Sequence, residues 1–165
     1  MADFWRETRN SFLMNEIFIP VIGIPAPQGS KRHVGHGIMI ENSKRVKPWR
    51  QDVKEAALEH YHGEIIDQAV EVEIIFSFAR PKSHYGTWKN SRKLKPSAPV
   101  FVTSKGKGDL EKLERSTYDA LSQSSGGSVL KDDSLVVQNK NMKRYCVEGE
   151  HQGAKIIIRT LHWLL

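Results

Sequence analysis

A single cysteine, Cys146, occurs in 165 residues. One thiol cannot close an internal disulfide and leaves no cysteine-rich set for a zinc cluster, so a reducing, cytoplasmic setting is expected. Long apolar runs are missing as well. The longest, Ile17 to Ile24, is broken by Pro20 and Gly23 and falls far short of the roughly 20 residues of a membrane-spanning helix. No membrane association and no signal segment are expected. Wholesale disorder is not expected either, because hydrophobic residues make up 39% of the chain and charged residues 27%. At this length one domain over 1–165 with a sizeable core is expected, and a division into two is not.

The most telling absence is of one charge sign. Between Arg80 and Gly108 there is no Asp or Glu, while Arg80, Lys82, Lys89, Arg92, Lys93, Lys95, Lys105 and Lys107 all stand there. Those eight positive charges exceed the formal net charge of +6, so the rest of the chain sums to −2. A solvated loop kept soluble by charge would account for the cations alone. A one-signed segment that leads directly into a group of acids is better explained by a polyanion that must approach those acids.

What is present falls into a small set of elements. Residues 1–15 have no clean periodicity and are expected to form a poorly ordered lead-in. Ile17 to Ile24 reads as a strand stopped by Pro25 and Pro27. Lys31 to Gly37 then reads as an exposed turn, and a short strand from Ile38 to Glu41 is expected to complete a hairpin. Pro48 suits a helix start, and Trp49, Val53, Ala56, Ala57 and Tyr61 form a stripe at helical spacing that ends near Gly63. Val70 to Phe78 alternates apolar and polar residues like a strand with one buried face. Residues 80–108 read as a long basic loop, with a short helix around Trp88 to Leu94. A second helix is predicted over Leu110 to Leu121, with Leu110, Leu113, Thr117, Ala120 and Leu121 inward. A flexible Ser/Gly link from Ser122 to Ser128 follows. Ser134–Gln138, Met142–Glu148 and Ala154–Leu161 are expected as three closing strands. The fold class is α/β, more fully a two-layer α+β arrangement with a mixed β-sheet and two principal helices.

The acids gather around the second helix. Asp109 is placed to cap its first turn, and Glu111 lies in that turn, where it could pair with Arg115. Asp132 and Asp133 sit just before a strand, where Asp is common in ordinary turns. Each has a bland role alone, but acids converging from separate segments are what Mg²⁺ requires. Asp109, Glu111 and Asp133 are therefore expected to hold one or two Mg²⁺ ions for work on phosphodiesters, with Asp132 a weaker fourth ligand. Asp119 is too far along the helix to share an ion with Asp109 and reads as a helix-end contact. Lys112 and Arg115 are the nearby cations, suited to stabilising charge on a reacting phosphate.

At these residues the chain resembles the RusA family of Holliday-junction resolvases, particularly members carried by bacteriophages and prophages. The resemblance spans most of the chain. It includes Gly23 to Arg32, Val46-Lys47-Pro48-Trp49-Arg50, Arg80 to Tyr85, and above all Gly108 to Arg115 with Tyr118 to Leu121 and Asp132 to Val137. It implies a small homodimer, dependent on Mg²⁺ with Mn²⁺ as a substitute, that nicks opposing strands of four-way DNA during recombination and repair. It places the metal-binding acids on Asp109, Glu111 and Asp133. Where the family commonly has Asp-x-Asp, this chain has Glu111, whose extra methylene alters its reach. The position of a catalytic Lys falls on Arg115, which keeps the charge but does not readily release a proton.

The cations expected on DNA are Lys31, Arg32, Lys47, Arg50, Lys82, Lys93, Lys95, Lys105, Lys107 and Lys112. His84, Tyr85 and Trp88 among them suit stacking on unpaired bases, or pinning of the loop to the core. His60 and His62 read as helix-end residues. Leu161, Trp163, Leu164 and Leu165 suit a buried strand end or a dimer contact. Two alternatives are a metal-dependent nuclease acting on flaps or other branched DNA, and a non-catalytic DNA-binding relative whose acids only cap and pair.

Overall fold

The strand from Val70 to Phe78 (β4) lies inside a four-stranded mixed sheet because both of its edges find partners. Glu16–Ile22 (β1), Gly153–Thr160 (β6), β4 and Val136–Tyr145 (β5) line up in the order β1-β6-β4-β5, with β5 parallel to β4 and the other pairings antiparallel. The computed structural model describes residues 15–29, 31–33, 39–41 and 44–161, with the backbone alone at 31–33 and 39–41. Apart from Asn15, the lead-in at 1–15 lies outside the described residues, as do Ser30, Trp163, Leu164 and Leu165.

Alternation in β4 sends Val70, Val72, Ile74, Phe76 and Phe78 to one fully buried face. Val46–His60 (α1) and Leu110–Leu121 (α2) complete the core there. Trp49 packs on Phe76 with ring centroids 6.4 Å apart, and its indole Nε1 donates to Thr117 Oγ1 of α2 at 3.1 Å. One aromatic side chain thus joins sheet, α1 and α2, and its only polar atom is satisfied.

The opposite face is not simply solvated. Arg159 of β6 bonds Glu16 of β1 at 2.8 Å and Glu71 of β4 at 2.8 Å, and Lys140 of β5 reaches Glu71 at 3.3 Å. This row of charge crosses all four strands, and it leaves the Glu71 residue only 8% exposed. A carboxylate so covered is tolerated because two cations and their hydrogen bonds replace its water.

Four expectations change. The early hairpin forms between Lys31–His33 (β2) and Met39–Glu41 (β3), a separate two-stranded sheet, and not between the first strand and residues 38–41. In place of two strands over 134–138 and 142–148 there is one, β5 at Val136–Tyr145, because its polar run Gln138-Asn139-Lys140-Asn141 lies at a sheet edge where apolar side chains are not required. The Ser/Gly link is a defined turn, with Gly127 N bonded to Ser122 O at 2.8 Å and Lys54 Nζ to Ser125 O at 2.7 Å. The residues that turn inward from α2 are Leu113, Ser116, Thr117, Ala120 and Leu121; Leu110 is half-buried.

Candidate active site

α2 begins where the backbone takes a turn that only glycine accepts easily. Gly108 has φ +85°, and a Cβ there would lie 2.4 Å from Pro27 Cγ. The strand-like segment around Pro27 is held alongside the helix by Ser116 Oγ donating to Ala26 O at 2.7 Å and Gln28 N donating to Lys112 O at 2.9 Å. Lys143 Nζ of β5 donates to the Gly108 carbonyl at 2.6 Å. The entry to α2 is therefore fixed from three sides.

Asp109 occupies the N-cap position, yet its carboxylate makes no capping hydrogen bond. It is 74% exposed and stands 3.6 Å from Lys112 Nζ. Glu111 projects from the same first turn and is exposed. The Glu111–Arg115 pair does not form among the described residues, and Arg115 is exposed on the next turn. Glu114, which sequence reasoning passed over, belongs with this group. Burial pushes its carboxyl pKa up, a hydrogen bond with Asn141 pulls against this, and the charge of Glu111 adds to the rise. Asn141 Nδ2 also donates to Tyr118 Oη at 2.8 Å, while its Oδ1 accepts from Ile74 N at 2.8 Å. A clue existed in the sequence: Glu114 stands three residues from Glu111 on a helix, and asparagines are uncommon inside strands.

The second acidic pair divides into two roles. Asp132 accepts from Ser134 N at 3.0 Å, and this bonding to Ser134 holds its carboxyl below the ordinary range. It caps the short turn Asp133–Leu135. Asp133, the next residue, is exposed.

The two acid groups stand at opposite ends of α2. Leu130 N donates to the carbonyl of Leu121, the last helical residue, at 3.1 Å, and the turn at Asp133–Leu135 packs against the helix just beyond. Asp109 precedes the first helical residue, about 18 Å away along the axis at 1.5 Å per residue. Accordingly, no three His, Cys, Asp or Glu side chains among the described residues stand close enough together to hold a metal ion.

The basic segment is braced despite its few regular elements. Short 3₁₀ turns occupy Lys82–His84, Trp88–Asn90 and Lys105–Lys107, in place of the one short helix expected around Trp88 to Leu94. Gly86 N bonds Lys93 O and Lys95 N bonds His84 O, both at 2.9 Å. Arg80 donates to Cys146 O at 3.0 Å and Pro99 O at 2.8 Å, and His84 sits edge-on to Tyr145 at 4.7 Å. His84 and Tyr85 thus serve the loop's attachment, whereas Trp88 is 92% exposed. Lys82, Lys93, Lys95 and Lys105 are exposed, and Lys107 lies over the Phe78 ring at 5.6 Å. Lys47 is exposed on α1, and Arg50 is ion-paired with Asp119, joining the two helices. The side chains of Lys31 and Arg32 lie outside the described residues. A cleft of about 930 Å³ beside the loop is lined by Arg92 and Lys93 but also by Glu148 and Glu150, so its charge is mixed and does not single out a polyanion.

A mixed sheet carrying two exposed carboxylates at a helix start, with an acid-free basic segment leading to them, defines an enzyme of the nuclease class. Residues 20–159 match the family described as endodeoxyribonuclease RusA, and the chain belongs to that family. Its activity is that of an endonuclease resolving Holliday junctions, and such resolvases are generally dependent on a divalent metal. No curated protein matches the chain. Among the described residues no helix is long and apolar enough to cross a membrane.

Proposed function

We propose that the chain is one RusA-like domain that acts as a homodimer and makes paired symmetric nicks in four-way DNA, using Mg²⁺ with Mn²⁺ as a substitute, in the cytoplasm of a bacterial or phage-infected cell. The observation that carries the catalytic assignment is the state of Asp109. It sits where a capping acid belongs and makes no cap, so capping does not account for its side chain. Asp133 is exposed in its turn, whereas Asp132 has the structural role of a cap and is the weakest of the four acids.

Asp109, Glu111 and Asp133 have the oxygen donors Mg²⁺ prefers. Within a single chain they do not fit it as a set, since the helix separates them, and no step of the reaction is drawn through the ion. The chain's own cations have clearer parts. Lys112 and Arg115 flank the exposed acids and stabilise charge on the phosphate, Arg115 as a fixed cation that does not donate a proton. Lys82, Lys93, Lys95, Lys105 and Lys107, with Lys31, Arg32 and Lys47, contact the phosphate backbone and position the junction. Arg50 is left to its pair with Asp119. Two symmetric cuts suit a two-fold dimer, which presents two identical centres to a nearly two-fold substrate.

Cleavage of a labelled four-way junction, beside linear duplex and flap DNA, with Mg²⁺ and with EDTA, tests this reading. Paired nicks confined to the junction and abolished by EDTA are expected. Asp109→Asn and Asp133→Asn should each lower the cutting rate by about 100-fold or more while leaving junction binding within about threefold. Asp132→Asn should cost about tenfold or less. Tight binding with no cutting under any divalent metal would identify a DNA-binding relative instead.

A further inference from the structure

We propose that Trp88 reads the branch point of the DNA, its indole stacking on a base face that four-way DNA exposes and continuous duplex hides. The inference rests on the resolvase activity of the family and on the reading that the cations of 80–108 contact phosphate.

Trp88 is held at a cost to the fold. Its φ of +52° lies in the left-handed region, and it is the one non-glycine residue with positive φ among the described residues. For a bulky residue that conformation crowds side chain against backbone, and Gly or Asn would relieve it. Packing does not offset the strain, since Trp88 is 92% exposed. A large aromatic ring kept in solvent on a strained backbone is explained by a role outside the fold.

The surroundings enforce the conformation. The Tyr85–Leu94 bridge and the bond from Gly86 N to Lys93 O at 2.9 Å close the ends of a short loop. Within it Asn90 N donates to Thr87 O at 3.0 Å, Ser91 N to Trp88 O at 3.1 Å and Lys93 N to Asn90 O at 2.9 Å. Gly86 passes so near Asn90 that a Cβ on it would lie 2.7 Å from the Asn90 carbonyl oxygen. Trp88 therefore stands in a small, bonded loop that has little freedom left to lose when a ligand meets it.

Charge names the ligand. Lys89, Arg92 and Lys93 stand exposed in the same loop, and no Asp or Glu lies between Arg80 and Gly108. Thr87, Lys89, Asn90 and Ser91, the residues on either side of the indole, are all polar, so the loop offers no apolar patch to a protein partner. An aromatic face among unopposed cations suits a base with its phosphates. The arm is also anchored beside the acids. It leaves the sheet after Phe78 and returns along the end of β5, where Val102 N donates to Lys143 O at 3.4 Å and Lys143 Nζ donates to the Gly108 carbonyl at 2.6 Å.

Inside linear duplex each base is covered by its neighbours, and an indole enters only by unstacking a step. Around a branch point a base face can be met without that loss. Stacking by Trp88 thus adds to junction affinity alone, whereas the phosphate contacts of the cations are common to both forms.

Equilibrium binding of a labelled four-way junction and of linear duplex, in EDTA so that no strand is cut, tests the inference. Trp88→Ala should bind the junction about tenfold or more weakly and duplex within about twofold of wild type, with the same salt dependence because no charge is lost. Trp88→Phe should keep most of the junction affinity. Trp88→Gly should lose it as Ala does while melting no lower than wild type, which a structural role for the ring would not allow. With 2-aminopurine at the branch point, wild type should change the probe's fluorescence on binding and Trp88→Ala should not. The inference is overturned if Trp88→Ala binds the junction as tightly as wild type, if it weakens on junction and duplex alike, if wild type leaves the probe unchanged, or if Trp88→Gly melts well below wild type. Each of these leaves the resolvase reading intact. Wild-type protein with no preference for junction over duplex defeats the resolvase reading and this inference together.

Discussion

Asp109 and Asp132 are both acids at the start of a helical turn, and a single hydrogen bond separates their fates. Asp132 is bonded to the Ser134 amide and has a local structural role, while Asp109 makes no such bond at its helix. Gly108, beside it, is the residue whose alteration should show how closely that carboxylate must be placed. A side chain there meets both the +85° φ and Pro27, so Gly108→Ala is expected to lose about 1–3 kcal/mol in urea unfolding and to reduce cutting more than binding. Away from the acids, Glu150 is held down to a pKa of about 2, chiefly by its hydrogen bond to Arg144, which grips it through two contacts at 2.6 and 2.8 Å. Its folded value lies below the ordinary 4.5, so its contribution to stability is complete above that value and is lost as pH falls towards 2. Melting temperatures measured between pH 6 and pH 2 should fall less steeply for Glu150→Gln than for wild type, from a lower starting point.

Among the elements, α2 and β4 follow the pattern of their residues because packing and periodicity agree. Both keep the bounds expected from sequence. β5 does not read as one strand because an edge strand satisfies its hydrogen bonds without apolar side chains, so Gln138 to Asn141 carry no alternating signal. The basic segment illustrates a different limit. Its charge is plain from composition, but its bracing by Arg80 and His84 depends on partners more than fifty residues away in the chain, Cys146 and Tyr145. Such a braced arm should present its cations to phosphate at low entropic cost. Substituting Lys82 and Lys93 by Ala together is expected to weaken binding to all DNA sequences and to reduce the slope of log K against log salt by about 2. An unchanged slope would return the arm to the role of a solvated loop.

At the scale of the whole molecule, stability is centred on the two inner strands. β4 and β6 are paired on both sides and bury Val72, Ile74, Phe76, Ile156 and Ile158, so among the described residues their amides should exchange slowest in native-state hydrogen exchange. From sequence alone came the class of fold, the two helices, the central strand, the basic arm and the candidate acids. These are set by local periodicity and by charge, which a linear reading preserves. Tertiary structure decided which acid is a cap, that Glu114 and Asn141 join the group, that Arg50 is taken up by Asp119, and that α2 holds Asp109 and Asp133 apart. Each of these depends on which segments meet in space, and the sheet order β1-β6-β4-β5, with residues distant in the chain as neighbours, is what sets those meetings.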